Sequence, residues 1–245
     1  MIASHDLDAV TVNPRGLMMS EPSFWKNKKV LITGHTGFKG SWLCKTLEKD
    51  GARITGYALP QAKGPSLFDI CEPDVDSVFA DIRDFERLSE AFKKSGPDVV
   101  FHMAAQPLVM DSYKNPHLTY DTNVMGTVNM LECVRNSDTV RSVINVTTDK
   151  VYLNRERREG YTEDEALDGY DPYSNSKSCS EIITSGYRNS FLGKKGVAVS
   201  TVRSGNVIGG GDFTKNRLLP DCALTAFMNK GHKPRVRDEA PFNGR

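Results

Sequence analysis

The chain has 245 residues, 38% of them hydrophobic and 26% charged, enough to build one large domain around a sizeable core. Its 32 Lys and Arg nearly balance its 31 Asp and Glu, which excludes a general field drawing it to nucleic acid or to an anionic membrane, so charge recognition has to be local. The five cysteines (Cys44, Cys71, Cys133, Cys179, Cys222) are widely spaced without a C-x-x-C pair and read as buried thiols with no metal site, and the lack of an apolar span or of a signal-peptide stretch predicts a cytoplasmic protein.

Residues 1–22 show no sustained apolar period and are expected to be a disordered extension; residues 23–245 read as one domain. Short β-branched runs predict strands at Lys29–Thr33, Arg53–Ala58, Val75–Ala80, Val99–His102, Ser142–Val146 and Val197–Val202. Helical patterns begin near Gly37, Phe85, Pro116, Pro172 and Leu218. Those from Asn115 to about Arg135 and from Pro172 to about Phe191 are far too long for strands, and Pro116 and Pro172 stand in first-turn positions where no donor is lost. Strand and helix in alternation predict an α/β fold, a doubly wound parallel sheet of the Rossmann type.

The first strand runs into Gly34-His35-Thr36-Gly37-Phe38-Lys39-Gly40 and then a helical stretch. In such a turn the first glycine permits the tight bend, the second lets backbone amides approach a pyrophosphate, and the third lets helix pack on strand. The helix start adds oriented donors for the anion, so this segment predicts dinucleotide binding. An acid at the end of the second strand would select NAD through the ribose hydroxyl, but this strand ends Tyr57-Ala58-Leu59-Pro60, with no arginine to select NADP either.

Asp171-Pro172 opens a helix bearing Tyr173 and Lys177, one turn apart on the same face. A phenol with its ordinary pKa near ~10 is a poor base, but a neighbouring lysine cation and a positive nicotinamide ring both favour the phenolate, which could take the proton of a substrate hydroxyl during hydride transfer. The fifth strand ends Val146-Thr147-Thr148-Asp149-Lys150, where doubly wound sheets place ligand chemistry. Thr148 reads as a hydrogen-bond partner of that hydroxyl, Asp149 as a general acid and Lys150 as the carrier of a second proton; the bland alternative is a solvated turn.

The G-x-x-G-x-x-G spacing, together with Asp81-Ile82 after the third strand and Ala104-Ala105-Gln106 after the fourth, resembles the extended short-chain dehydrogenase/reductases. The resemblance implies that Asp81 and Ile82 hold the adenine ring, that Ala104, Ala105 and Gln106 pass along the cofactor, and that Thr36, Phe38, Lys39, Asn123, Thr147, Tyr173 and Lys177 also line its site. The bland alternative for Asp81 is a helix cap or turn residue. Thr148-Asp149-Lys150 beside Tyr173 and Lys177 narrows the resemblance to nucleotide-sugar 4,6-dehydratases, and lysine in third place to the CDP-glucose 4,6-dehydratase family. Phe24-Trp25-Lys26, Ser41-Trp42-Leu43, Ala105 to Val109, Thr122 to Thr127 and Gly205 to Asp212 are similar to that family as they stand.

The resemblance implies NAD as cofactor, CDP-glucose as substrate and a homodimer built on the helices around Asn123 and Lys177. It also implies an internal redox cycle: oxidation at C4 with Tyr173 as base, loss of water across C5 and C6 with Asp149 as acid, and return of hydride to C6; the remover of the C5 proton stays open. Asn206 and Arg217 would face the substrate diphosphate, a role to which an amide and a guanidinium are suited. Met110-Asp111 stands where the family carries an arginine, and after about residue 230 the chain no longer reads like the family, so its substrate subdomain is expected to be largely missing through truncation. A 4-epimerase, in which Asp149 would have no chemical task, and a non-catalytic dinucleotide-binding module are the competing readings.

Overall fold

The computed structural model describes residues 22–61, 64–214 and 217–227. In chain order its elements are α1 (Pro22–Trp25), β1 (Lys29–Thr33), α2 (Phe38–Lys49), β2 (Arg53–Ala58), α3 (Leu67–Cys71), β3 (Val75–Phe79), α4 (Phe85–Ser95) and β4 (Val99–His102). They continue as α5 (Val109–Lys114), α6 (Pro116–Tyr120), α7 (Gly126–Arg135), β5 (Ser142–Val146), α8 (Pro172–Tyr187), β6 (Ala198–Val202) and α9 (Leu218–Phe227). The strands form one sheet in the order β3-β2-β1-β4-β5-β6, and all five pairings are parallel. This is the doubly wound order, with its switch point between β1 and β4.

Four strands and the helix starts coincide with the sequence expectations, and the exceptions have local causes. Val197 is outside β6 because its N–H bonds Leu192 O at 3.0 Å, which closes the turn after the helix instead of the ladder. Ala80 falls outside β3 although its N–H still reaches Ala58 O at 2.9 Å, so the end has frayed by one residue. The periodicity did not reveal α3 or α5, each a turn or so long. The Ser66 hydroxyl caps α3 through the Asp69 N–H, and a left-handed Glu72 ends it. The long helix beginning at Pro116 passes through a π turn at Asp121–Met125 before α7, and a second π turn at Arg188–Leu192 ends α8. Of the expected extension only Pro22 is described, as the start of α1; the rest of it, and the segment beyond about residue 230, lie outside the described residues.

Alternation along the strands sends residues to two faces. On one face Leu31, Tyr57, Val100, Val143 and Val199 pack against Leu88 and Phe92 of α4 and Met130, Leu131 and Val134 of α7. On the other, Val30, Ile32, Ile54 and Val99 pack against Cys44 and Leu47 of α2. Full burial of each large apolar side chain contributes roughly 1.5–3 kcal/mol. The first face also holds a chain of buried polar groups: Thr33 Oγ1 meets His102 Nδ1 at 2.8 Å, Thr127 Oγ1 meets Ser180 Oγ at 3.0 Å, and Asn145 Nδ2 donates to Ser180 and Thr184, both at 2.9 Å. All but the Asn145 Oδ1 atom are partnered, and together they fix α7 and α8 against the carboxyl ends of β1, β4 and β5.

Candidate active site

Gly34 follows β1 with φ +76°, and its N–H bonds Tyr57 O at 2.8 Å. A Cβ there would lie 2.8 Å from Ala104 N, and one on Gly40 only 2.2 Å from Gly34 O, so both positions are closed by the protein's own backbone. Gly37 differs: a Cβ there would meet nothing nearer than Gly34 O at 3.4 Å. Its bareness serves no internal contact and leaves room for a ligand's approach. Gly37 is also the N-cap of α2 and supplies no side-chain cap, so the first amides of a 12-residue helix face outward. Burial and the charge of Arg217 hold Lys39 below the ordinary lysine pKa, while burial followed by the charge of Lys39 lowers Lys177 to about 8. Three cations thus converge on the uncapped helix start, an arrangement that suits a diphosphate.

Asp171 caps α8 through the Ser174 N–H (3.0 Å) and hydroxyl (2.6 Å), directing the helix so that Tyr173 and Lys177 face the ends of β4 and β5. Lys177 Nζ donates to Val146 O at 3.1 Å. Burial raises the Tyr173 pKa, and the neighbouring Thr148 and the charge of Arg217 oppose it only in part. Tyr173 is therefore a neutral phenol that needs a further positive charge beside it to act as a base. Thr148 lies beside the Tyr173 phenol and donates its hydroxyl hydrogen to Asp149 Oδ1 at 3.1 Å. The Asp149 N–H is fixed to Ser204 O at 3.1 Å, and a Cβ on Gly205 would come within 3.3 Å of Asp149 Oδ2. Tyr173 thus adjoins the bonded Thr148–Asp149 pair, with Lys150 on the next residue of a one-turn 3-10 helix.

The other predicted residues divide by what their side chains already do. Asn123 accepts from the Gln106 N–H (2.8 Å) and donates to Gln106 O (3.2 Å) and Ser176 Oγ (2.9 Å), so it shapes the chain after β4 and ties it to α8. Gln106 spends its amide on Leu108 and Thr119, leaving its backbone and that of Ala104 and Ala105 along the β4 end. Ile82 is in the core against Gly126, where a Cβ would be 2.8 Å from Ile82 Cγ2. Asp81 receives the Arg83 N–H and side chain, and Arg83 bridges on to Asp121. Thr36 reaches Leu59 O at 3.3 Å and holds the turn to the β2 end. Thr147 donates to Glu181 at 2.5 Å. Asn206 is exposed; Arg217 pairs with Asp212 at 3.7 Å.

Three participants escaped the sequence reading. His35 is fully buried over Gly56, where any Cβ would collide with its ring at 2.3 Å; burial, partly offset by the Tyr57 backbone, lowers its pKa to about 4. Glycine in the middle of β2 was the available signal. Trp42 donates to Gly210 O at 3.0 Å and Gly209 lies over Phe38, so the Gly209–Gly211 loop is packed against α2 rather than free. Glu181, one turn past Lys177, is buried in a pair with Arg203.

A parallel sheet in this order, with a glycine turn after β1 and Tyr-x-x-x-Lys on the helix after β5, defines the extended short-chain dehydrogenase/reductase class of Rossmann fold. Within it, the chain belongs to the GDP-mannose 4,6 dehydratase family, whose model matches residues 31–230. CDP-glucose 4,6-dehydratase of Salmonella typhimurium is 51% identical over 218 residues, covering 86% of this chain and 60% of that protein. CDP-paratose 2-epimerase of Salmonella typhi is 29% identical, covering 76% of this chain and 59% of its own length. A dTDP-glucose 4,6-dehydratase from Streptomyces venezuelae, solved with NAD bound, superposes with a TM-score of 0.72 at 25% identity, covering 82% of this chain and 62% of that one. UDP-glucose 4-epimerase from Brucella ovis, also with NAD, gives 0.64 at 28% identity over 73% of this chain and 52% of that one. The chain spans about 60% of the length of the Salmonella dehydratase. Among the described residues no helix is long and apolar enough to cross a membrane, and no group of His, Cys, Asp and Glu could hold a metal ion.

Proposed function

We propose that this site performs the nucleotide-sugar 4,6-dehydratase reaction on CDP-glucose with NAD, giving the 4-keto-6-deoxy sugar. The observation that carries the reading is the placement of the bonded Thr148–Asp149 pair beside the Tyr173 phenol, which puts an acid next to the oxidation base. Gly34, Gly37, Gly40 and the start of α2 would hold the NAD pyrophosphate, with Thr36, Phe38 and Lys39 beside them, and Asp81, Ile82, Ala104, Ala105, Gln106, Asn123 and Thr147 would border the remainder. Bound there, NAD would accept hydride from sugar C4 and return it at C6.

The chain's own residues supply the protons. Thr148 orients the 4-hydroxyl and Tyr173 takes its proton; the charged nicotinamide ring is the further cation that a phenol above its ordinary pKa requires. Asp149 protonates the departing 6-hydroxyl and Lys150 assists at C5. Lys177 keeps its proton below a pKa of about 8 and stabilises negative charge on Tyr173. Arg217 and Asn206 hold the substrate diphosphate. The chain acts in the cytoplasm, a setting consistent with five free cysteines. It associates as a homodimer through the long helices, where Met125 and Ile182 are exposed.

The test is incubation with CDP-glucose and NAD, reading the alkaline ultraviolet absorbance of the 4-keto-6-deoxy product. The unmodified chain is expected to form it, and Asp149→Asn to lose roughly 10²–10⁴-fold. Sugar turnover that survives Asp149→Asn would sink the dehydratase reading in favour of 4-epimerisation. NAD binding without any turnover would leave a dinucleotide-binding module.

A further inference from the structure

The proposed reaction gives no task to the most deeply buried ion pair among the described residues, Glu181 with Arg203. The Glu181 carboxylate, 4% exposed, takes four hydrogen bonds: Oε1 from Thr147 Oγ1 (2.5 Å) and Arg203 Nε (2.9 Å), Oε2 from Thr201 Oγ1 (2.7 Å) and Arg203 Nη2 (3.0 Å). Burial alone would raise its pKa, but the bonds from Arg203, Thr147 and Thr201 outweigh that and keep it ionised. Arg203 has one nitrogen left, Nη1, which donates to Tyr152 Oη (3.0 Å) and Glu163 O (3.1 Å). Its guanidinium lies 4.9 Å from the centre of the Tyr152 ring, and that ring stacks on Tyr161.

The sequence positions of these partners give the pair its meaning. Thr147 immediately precedes Thr148-Asp149-Lys150, and Tyr152 follows one residue after it. Both flanks of the turn are therefore fastened to one ion pair. Its acidic half sits on α8 one turn beyond Lys177, whose Nζ is itself bonded to Val146 O next to Thr147. Withdrawing two charges from water costs as much as their attraction returns, so stability alone does not account for such a pair where apolar side chains would pack as well. A rigid two-ended clamp does account for it.

We propose that Glu181 and Arg203 are positioning residues that lock the Thr148-Asp149-Lys150 turn to the Tyr173/Lys177 helix, so that proton removal at the 4-hydroxyl and acid catalysis at the 6-hydroxyl act on one bound sugar. The catalytic consequence rests on the dehydratase reading; the clamp itself does not. An enzyme holds reacting groups to within about half an ångström through a supporting layer of this kind, and a loosened layer costs turnover more than binding.

The experiment compares the unmodified chain with the paired variant Glu181→Leu/Arg203→Met, which removes both charges together. Amide hydrogen exchange is measured on the protein without cofactor or substrate, and kcat and KM are measured with NAD and CDP-glucose. The clamp predicts at least tenfold faster exchange at residues 147–152, unchanged exchange at residues 143–145, and kcat at least tenfold lower with KM within threefold. Unchanged exchange at the turn, or full kcat despite a loosened turn, overturns the proposal. Absence of turnover in the unmodified chain would instead count against the dehydratase reading, with the exchange result still deciding the clamp. Should the paired variant not fold, Tyr152→Phe frees only the downstream flank: faster exchange at residues 151–153 with a severalfold lower kcat is expected, and no change in either overturns the proposal.

Discussion

The two faces of the sheet are built from the same strands and finished differently. Toward α4, α7 and α8 the inward residues Leu31, Tyr57, Val100, Val143 and Val199 are covered, and hydroxyls and an amide are buried there in hydrogen-bonded contact. Toward α2 the cover extends over β1 and β2 but leaves Phe101, Met103, Ile144, Val146 and Val202 lining an apolar groove of about 940 Å³. Strand burial records the contrast: four consecutive residues of β1 are buried, whereas β6 alternates. The covered face carries the candidate chemistry on α8, held by ion pair and hydroxyls. The open face carries the start of α2, where Phe38 and Lys39 border the groove, and otherwise packing. Precision at a site requires the closed arrangement, because a side chain is fixed only when its surroundings leave it no second rotamer.

The largest effect should come from the covered face. Tyr173→Phe keeps the packing and removes the phenol, and turnover of CDP-glucose is expected to fall roughly 10²–10⁴-fold with the NAD dissociation constant within a few fold. Loss of NAD binding as well would make Tyr173 a cofactor anchor rather than a base. Next, Leu131→Ala, at a fully buried position under the same face, should cost about 2–5 kcal/mol in urea unfolding.

Acid tests both faces at once, through His102 on the covered side and His35 beside the glycine turn. Burial lowers their folded pKa values to about 3 and about 4, below the ordinary value near ~6.5 that the unfolded chain would show. The unfolded state then binds protons first, so stability is complete above about pH 6.5 and declines as pH falls toward the folded values, by roughly 3 kcal/mol per histidine near pH 4. Urea midpoints across that range check the slope; a flat profile between pH 6.5 and 4.5 would contradict burial of the neutral rings. Smallest of all, Val202→Ser in the open groove, at a side chain 43% exposed, should change stability by no more than about 0.5 kcal/mol. A cost like that of Leu131→Ala would mean that the groove is covered in solution.

Much of this was legible in the sequence because it is local. β-branched runs set the strands, Pro116 and Pro172 marked helix starts, and Gly34, Gly37 and Gly40 announced a turn that only backbone geometry explains. The spacing of Tyr173 and Lys177 put them on one face because a helix turns once in 3.6 residues. What escaped was whatever depends on residues far apart in the chain. Glu181 had no visible use until β6 delivered Arg203 and Thr201 to it, and His35 looked like a turn residue until Gly56 of β2 made room for its ring.

The same limit holds for electrostatics. Two residues four apart put Lys177 and Tyr173 on one helix face, but burial of the phenol, a property of the assembled site, opposes the phenolate. Sequence by itself therefore determined the elements, the glycine turn and the candidate proton carriers, since each follows from short-range geometry and side-chain chemistry. Tertiary structure alone decided which of those groups are buried, which are charged and which hold others still, because desolvation and packing are set by neighbours that the chain brings together only on folding.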